Sequence, residues 1–155
     1  MAELSVLTVR FDCRSVQSLI NEWNHELGFV PKGGSTVEVG DFEWPRGTFL
    51  LATSHHEPVG CGGLRRLTPS IGEIKRLFVR HPARRRGVGR LLLVELEQHA
   101  AGLGFSKLRL DTQVGATAAR SLFRSMGYES IEDYNSNSHA SYWFEKQIWT
   151  ITAND

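Results

Sequence analysis

The sequence predicts an α+β fold, an α/β three-layer arrangement in which one mixed sheet lies between helices. Three observations carry that expectation. Short segments with alternating apolar side chains recur along the chain, as half-buried strands require. Between them lie longer segments with apolar residues at three- and four-residue steps, the spacing of one helix face. Their order is a strand and a helix, a meander of strands, then helix, strand, helix and two strands. No repeat, low-complexity run or linker interrupts this order, so residues 1–155 are expected to form a single domain.

The elements follow in turn. Leu4 to Phe11 sets Leu4, Val6 and Phe11 amid Ser, Thr and Arg and is predicted as the first strand. Asp12 or Ser15 is placed to cap a helix from Val16 to Leu27, with Val16, Leu19, Ile20, Trp23 and Leu27 on one face and Gly28 as its stop. Residues 31–45 have loop composition, including Gly33, Gly34, Phe42 and Trp44, with room for a short helix of unassigned position. Thr48 to Ser54 and Val59 to Leu67, joined by a His-His-Glu-Pro turn, read as a hairpin. A turn from Pro69 to Gly72 leads into the strand Glu73 to Val79. A Leu-rich helix is predicted from Val88 to Ala101, with Leu91, Leu92, Leu96 and His99 sharing a face. Lys107 to Thr112 is the next strand, and Ala116 to Met126 a helix closed by Gly127. Tyr128 to Ile131 and Tyr142 to Ile151 are the last two strands.

Composition narrows the function classes. With 41% hydrophobic and 23% charged residues, the chain can bury a core without staples. Its cysteines, Cys13 and Cys61, lack metal-ligand spacing and its histidines are scattered, so no metal is expected. No apolar run approaches the roughly 18 residues of a membrane span. With no secretory signal either, the expectation is a cytoplasmic protein without a membrane partner. A net charge of +1 argues against a polycation seeking nucleic acid. Yet seven basic residues and no acidic one lie between Lys75 and Arg90.

That imbalance centres on HPARRRGVGRLLL, His81 to Leu93. A strand, a glycine-containing turn and a helix start make an anion site, because the first N–H groups of a helix lack internal partners and its dipole is positive there. Glycine allows close approach of the backbone, and arginine offers forked donors to phosphate oxygens. The stretch lacks the Gly-Lys-Ser/Thr of a Walker loop, and Leu92 stands where a dinucleotide fingerprint needs its third glycine. Two rival readings are a solvated cap on a helix and a nucleic-acid patch that includes Lys75 and Arg76.

Arg84-x-x-Gly87-x-Gly89, after EIKRLFVRHPA and before a Leu-rich helix, resembles the acetyl-CoA signature of the GNAT N-acetyltransferases. KLRLDT followed by ARSLFRSMGYE, the PRGTFLLA to GCGGL region and YNSNSHASYWFEK resemble further blocks of a bacterial small-protein branch of that family. The resemblance implies a mixed, mostly antiparallel sheet with splayed central strands and helices on both faces. It implies acetyl-CoA as co-substrate, with the diphosphate held at Arg84, Arg85, Arg86, Gly87, Val88, Gly89 and Arg90. The pantetheine arm would pair with the main chain of Leu77, Phe78 and Val79, and a backbone N–H near Leu77 would polarise the carbonyl. The activity implied is transfer of acetyl to a primary amine, of a small molecule, by direct attack. Alternatives are a protein lysine or N-terminal acetyltransferase, and a CoA-binding regulatory module without turnover. A homodimer is the family's default.

Acyl transfer also needs a base for the amine and a route for the leaving thiolate. Glu73, eleven residues before Arg84, matches the spacing of the catalytic glutamate in one branch of the family; otherwise it pairs with Lys75 or Arg76, or faces solvent. Phe123 stands where many relatives carry a proton-donating tyrosine, which leaves Tyr128, Tyr142 and Ser121 as unranked substitutes. Ala116 replaces an asparagine that touches the pantetheine arm in many relatives. Trp44, Asn135 and Asn137 are the substrate candidates, within a wider set of Trp23, His25, Phe42, His139 and Trp143; the asparagines also suit turns.

Overall fold

The computed structural model describes residues 3–28 and 36–148. Its strands are β1 (Leu4–Thr8), β2 (Gly47–Ser54), β3 (Glu57–Thr68), β4 (Ile71–Val79), β5 (Lys107–Thr112), β6 (Glu129–Ile131) and β7 (Tyr142–Gln147). Its α-helices are α1 (Arg14–Leu27), α2 (Val88–Gly102) and α3 (Thr117–Ser125). The strands form one sheet in the order β1-β2-β3-β4-β5-β7-β6. Every neighbouring pair is antiparallel except β4 with β5. This is the mixed, mostly antiparallel sheet that the element order and the resemblance imply.

Each face of the sheet carries an apolar cluster, and each cluster is covered by a helix. In β2, Phe49 and Leu51 enter one cluster while Leu50 and Ala52 enter the other. α1 seals the first through Val16 and Leu19, with Ile20 and Trp23 alongside. α2 seals the second through Val88, Leu92, Leu96 and Ala100, a continuous four-residue ridge, joined by Leu93. The stripe expected from sequence, Leu91, Leu92, Leu96 and His99, is thus turned by one position: Leu91 and His99 are only half-buried.

Local chemistry explains the shifted boundaries. Asp12 does not cap α1, because its carboxylate is taken by Arg10 at 2.9 Å; Cys13 is the N-cap residue and makes no side-chain cap. β4 starts two residues earlier than expected, since the Thr68 hydroxyl accepts the N–H groups of Ser70 and Ile71 and tightens the turn before it. The unassigned short helix is a 3₁₀ turn, Val39–Phe42, that buries Phe42. Gly33 and Gly34, and residues 149–151 of the last expected strand, lie outside the described residues.

The feature that positions everything below is the parting of β4 from β5. The two pair only from Ile71 with Lys107 to Glu73 with Arg109. Beyond that point, among the described residues, β4 pairs with β3 alone and β5 with β7 alone. One edge of β4, from Ile74 to Val79, therefore faces a wedge inside the sheet with no strand partner. Cys61 pairs with Phe78 and Gly63 with Lys75, so Arg76 and Leu77 together oppose Gly62 in a β-bulge, with Arg76 at φ +58°.

Candidate functional site

α2 begins where β4 ends. After one 3₁₀ turn, His81–Ala83, the chain passes Arg85 at φ +65° and Gly87 at φ +81°, the latter being the N-cap residue of α2. A Cβ placed on Gly87 would meet nothing within 4 Å, so its positive φ, not space, calls for glycine. Gly89 serves a different purpose: a Cβ there would lie 2.9 Å from Leu122 Cδ2, so its absence lets the first turn of α2 lie against α3. The N–H groups of Val88, Gly89 and Arg90 belong to the turn that has no intrahelical acceptors. They sit at the Val79 end of the open β4 edge.

The basic cluster is less uniform than its sequence suggests. Lys75 is buried, with 3% of its side chain exposed, and pairs with Asp111 at 3.2 Å. Arg80 meets Glu22 of α1 at 2.8 Å and Arg84 meets Glu26, one turn further, at 2.7 Å. Arg84 also donates to the Val79 carbonyl at 3.0 Å, so it braces the loop against α1 and β4. Arg90 donates to Ser125 of α3 at 3.0 Å. Arg85 and Arg86 are exposed and make no ion pair with another described residue. A nucleic-acid surface built on Lys75 is thereby ruled out by its burial. Glu26→Ala should lower stability by less than about 1 kcal/mol, since both partners are partly exposed; urea denaturation checks this.

Below the bulge, on the α1 side of the sheet, lies a cluster of buried charges. Glu73 is fully buried. Its Oε1 accepts from Arg65 Nε at 3.0 Å and Nη2 at 2.9 Å. Its Oε2 accepts from Tyr134 at 2.6 Å and Asn135 Nδ2 at 3.2 Å, with Lys75 Nζ at 3.8 Å. All four lone-pair positions are therefore occupied. Burial, and then the facing Glu73 carboxylate, pushes the Tyr134 hydroxyl above its ordinary range, so it remains a donor. Asp111, on β5 across the wedge, has an 11% exposed side chain. Its Oδ2 accepts from Lys75, from Asn135 at 2.5 Å and from Asn137 at 3.2 Å. Its Oδ1 accepts no hydrogen bond from another described residue.

The expected site residues separate into two groups. Glu73, Asn135 and Asn137 come together in this cluster, and Asn135 Oδ1 also takes the Trp143 indole N–H at 2.9 Å. The asparagines build turns as well: Asn135 Oδ1 accepts from the Asn137 N–H at 3.2 Å and Asn137 Oδ1 from the His139 N–H at 3.1 Å. Leu77, Phe78 and Val79 lie along the open edge, with Phe78 stacked on Trp23 at 5.4 Å. Trp44 does not join them; it is 69% exposed, beside a cis peptide bond to Pro45.

Sequence reasoning missed Asp111 and Tyr134, and named Lys75 only as a partner of Glu73 or as part of a basic patch. Tyr134 opens the Tyr-Asn-x-Asn block itself, and Asp111 is the lone acid of KLRLDT. Phe123 packs against Tyr128 and Phe144 in the core. Tyr128 does not replace it toward the wedge, because it is buried and its hydroxyl is bound to Glu97 of α2.

Cys61 is fully buried, its thiol is pushed up to about 12, chiefly by burial, and it donates to the Arg76 carbonyl. A neutral, enclosed thiol is a poor nucleophile for a covalent acyl intermediate. Among the described residues, no helix is long and apolar enough to cross a membrane.

Known proteins share both sequence and fold. The sequence profile of the Acetyltransferase (GNAT) family matches residues 16–128. An uncharacterised N-acetyltransferase of Bacillus subtilis is 29% identical over 140 residues, covering 86% of this chain and 93% of its own. An IAA acetyltransferase of Azospirillum brasilense is 32% identical over 117 residues, covering 74% and 76%. The crystal structure of a GNAT-family acetyltransferase from Staphylococcus aureus matches with a TM-score of 0.81 at 15% identity, over 94% of this chain and 99% of that one. The N-acetylglutamate synthase of Neisseria gonorrhoeae, solved with coenzyme A and N-acetyl-glutamate, matches with a TM-score of 0.72 at 19% identity, over 96% of this chain and 36% of that one. A profile match across more than half of the chain answers the question raised by its glycine turn: the chain belongs to the GNAT family of acetyltransferases.

Proposed function

We propose that this acetyltransferase carries acetyl from acetyl-CoA to the primary amine of a small molecule, by direct attack, with Asp111 taking the amine proton. The observation that carries the assignment is Oδ1 of Asp111, which among the described residues is the one carboxylate oxygen of the Glu73–Asp111 pair that accepts no hydrogen bond. Glu73, expected as the base, would have to release Arg65, Tyr134 or Asn135 before it could bind an amine. It serves instead to anchor the cluster. The depth of Asp111 beneath the β6–β7 loop favours a slim amine over a bulky surface.

Acetyl-CoA would lie with its pantetheine arm along the main chain of Leu77, Phe78 and Val79, whose outer edge has no strand to pair with. Its diphosphate would meet the N–H groups from Arg85 to Arg90, with the Arg85 and Arg86 side chains adding charge. In the reaction the amine nitrogen forms a bond to the acetyl carbon and loses its proton to Asp111 Oδ1. The C–S bond breaks and CoA leaves as thiolate, a tolerable leaving group because thiols ionise near pH 8.5, roughly.

Phe123 favours a second reading, a CoA-binding module without turnover, because it supplies no proton to the sulfur. Calorimetric titration with acetyl-CoA, followed by thiol release with a panel of small amines and lysine-bearing peptides, separates the readings. Binding with amine-dependent thiol release supports the enzyme. Binding without release supports the module, faster release with peptides overturns the small-molecule assignment, and no binding up to millimolar removes both CoA readings.

A further inference from the structure

We propose that Asn135 and Asn137 are positioning residues for Asp111, and that the loop joining β6 to β7 is a clasp that keeps this carboxylate ionised and aimed at the acceptor. This rests on the assignment of Asp111 as proton acceptor. The loop reaches across from the far edge of the sheet, and its attachments to the cluster are polar. Tyr134 holds Glu73, Asn137 holds Asp111, and Asn135 holds both through the two hydrogens of one amide nitrogen.

The orientation of that amide is set by the structure around it. The indole of Trp143 can only donate, so the Asn135 atom facing it at 2.9 Å is the oxygen, and the NH₂ group must face the carboxylates. The Asn137 backbone N–H, on the same oxygen, fixes it from a second side. Both lone pairs and both hydrogens of Asn135 are thus used. The amide cannot turn without breaking four bonds.

Such a clasp answers a physical difficulty. Two carboxylates sharing one buried site disfavour each other's charge, and one of them tends to take up a proton. Asp111 must stay ionised to accept a proton from the amine. The groups around it are Glu73, Lys75 and Arg76 of β4, Arg65 of β3, Arg109 beside it on β5, Glu145 of β7, and Tyr134 and His139 of the loop. Arg109 and Glu145 satisfy each other at 2.7 Å, and Arg65 is committed to Glu73 and Asp41. Lys75 and the two asparagine amides are the donors on Asp111 Oδ2. Removing neutral donors from a carboxylate favours its protonated form without altering the charge count.

The test is the pH profile of kcat/KM for an amine found active in the panel, measured on the full chain with Asn135→Ala, Asn137→Ala and Trp143→Phe. A base must be deprotonated, so activity rises with pH through the acid limb. In both asparagine variants that limb should move to higher pH. Trp143→Phe, which removes only the donor that orients Asn135, should move it the same way by less. The KM for acetyl-CoA should stay within about twofold, because the clasp lies away from the α2 loop. Profiles that superimpose on wild type, with rates merely lowered at every pH, would overturn the proposal and leave the loop a structural brace. Should Asn135→Ala fail to fold, Asn137→Ala and Trp143→Phe decide alone. If Asp111→Asn turns over like wild type, or if no amine gives thiol release, the underlying assignment fails and the clasp with it. If Asp111→Asn is inactive while the asparagine profiles do not move, only the clasp fails.

Discussion

Asp111→Asn is expected to lower kcat/KM for the amine by roughly 10²- to 10⁴-fold, the range that general-base catalysis supplies. The substitution keeps the side chain's shape but removes its charge and its capacity to hold a proton. The acid limb set by this carboxylate should disappear with it, leaving only the ionisation of the amine itself to raise the rate with pH. Acetyl-CoA affinity should be unchanged by calorimetry, since Asp111 lies on β5 while the proposed cofactor contacts are on β4 and α2. Stability needs separate attention. Lys75 is buried and among the described residues would keep only Glu73, at 3.8 Å, as a counterion. Removing one partner of a buried ion pair costs about 3–5 kcal/mol. The double variant Lys75→Met with Asp111→Asn removes both charges and should regain much of that stability without regaining activity. Recovery of turnover in the double variant would show that Asp111 matters for folding and not for chemistry.

Gly87→Glu is expected to weaken acetyl-CoA binding by about 100-fold or more while the protein remains folded. Two effects act at once and can be separated. Any L-residue at φ +81° bears left-handed strain of about 1–2 kcal/mol. Glutamate adds negative charge beside the N–H groups proposed to hold a diphosphate, and cancels the advantage of a helix N-terminus. Because a Cβ at this position meets no neighbour within 4 Å, the fold has room for the side chain. Gly87→Ala bears the same strain without the charge and should weaken binding far less. Titration of both variants checks this, with circular dichroism confirming the fold. Affinity within twofold of wild type in Gly87→Glu would remove the loop from the cofactor site.

How much of this was legible in the sequence differs by kind of information. Periodicity located the elements well, since Val16, Leu19, Leu92 and Leu96, expected on helix faces, sit in the two apolar clusters. It misjudged helix rotation, because which ridge of α2 meets the sheet depends on packing across the interface and not on composition along the helix. The glycine turn was legible because Gly87 and Gly89 answer local demands, one of φ and one of close approach. The charged cluster was not. Lys75 belongs by sequence to a basic run, yet it lies beneath the loop because Asp111, 36 residues later, neutralises it. Asn135 and Asn137 read from sequence as substrate or turn residues, and their carbonyl oxygens do build turns while their amide nitrogens reach Asp111. No spacing rule joins residues on β3, β4, β5 and a loop beyond β6; only the sheet order does.

The extra residue in β4 acts as a phase shifter. Along a regular strand, residues three apart point to opposite sides of a sheet. Lys75 and Phe78 are three apart, yet both lie on the α1 side: Lys75 opposes Gly63 and Phe78 opposes Cys61, and the bulge absorbs the odd step. One strand can therefore present the charged cluster and the Trp23–Phe78 stack to the same compartment, with Leu77 and Val79 turned to the other. Without the bulge, all nine residues of β4 would alternate strictly and its two halves would fall out of step. Either the charges or the aromatic stack would then have to enter the α2 core.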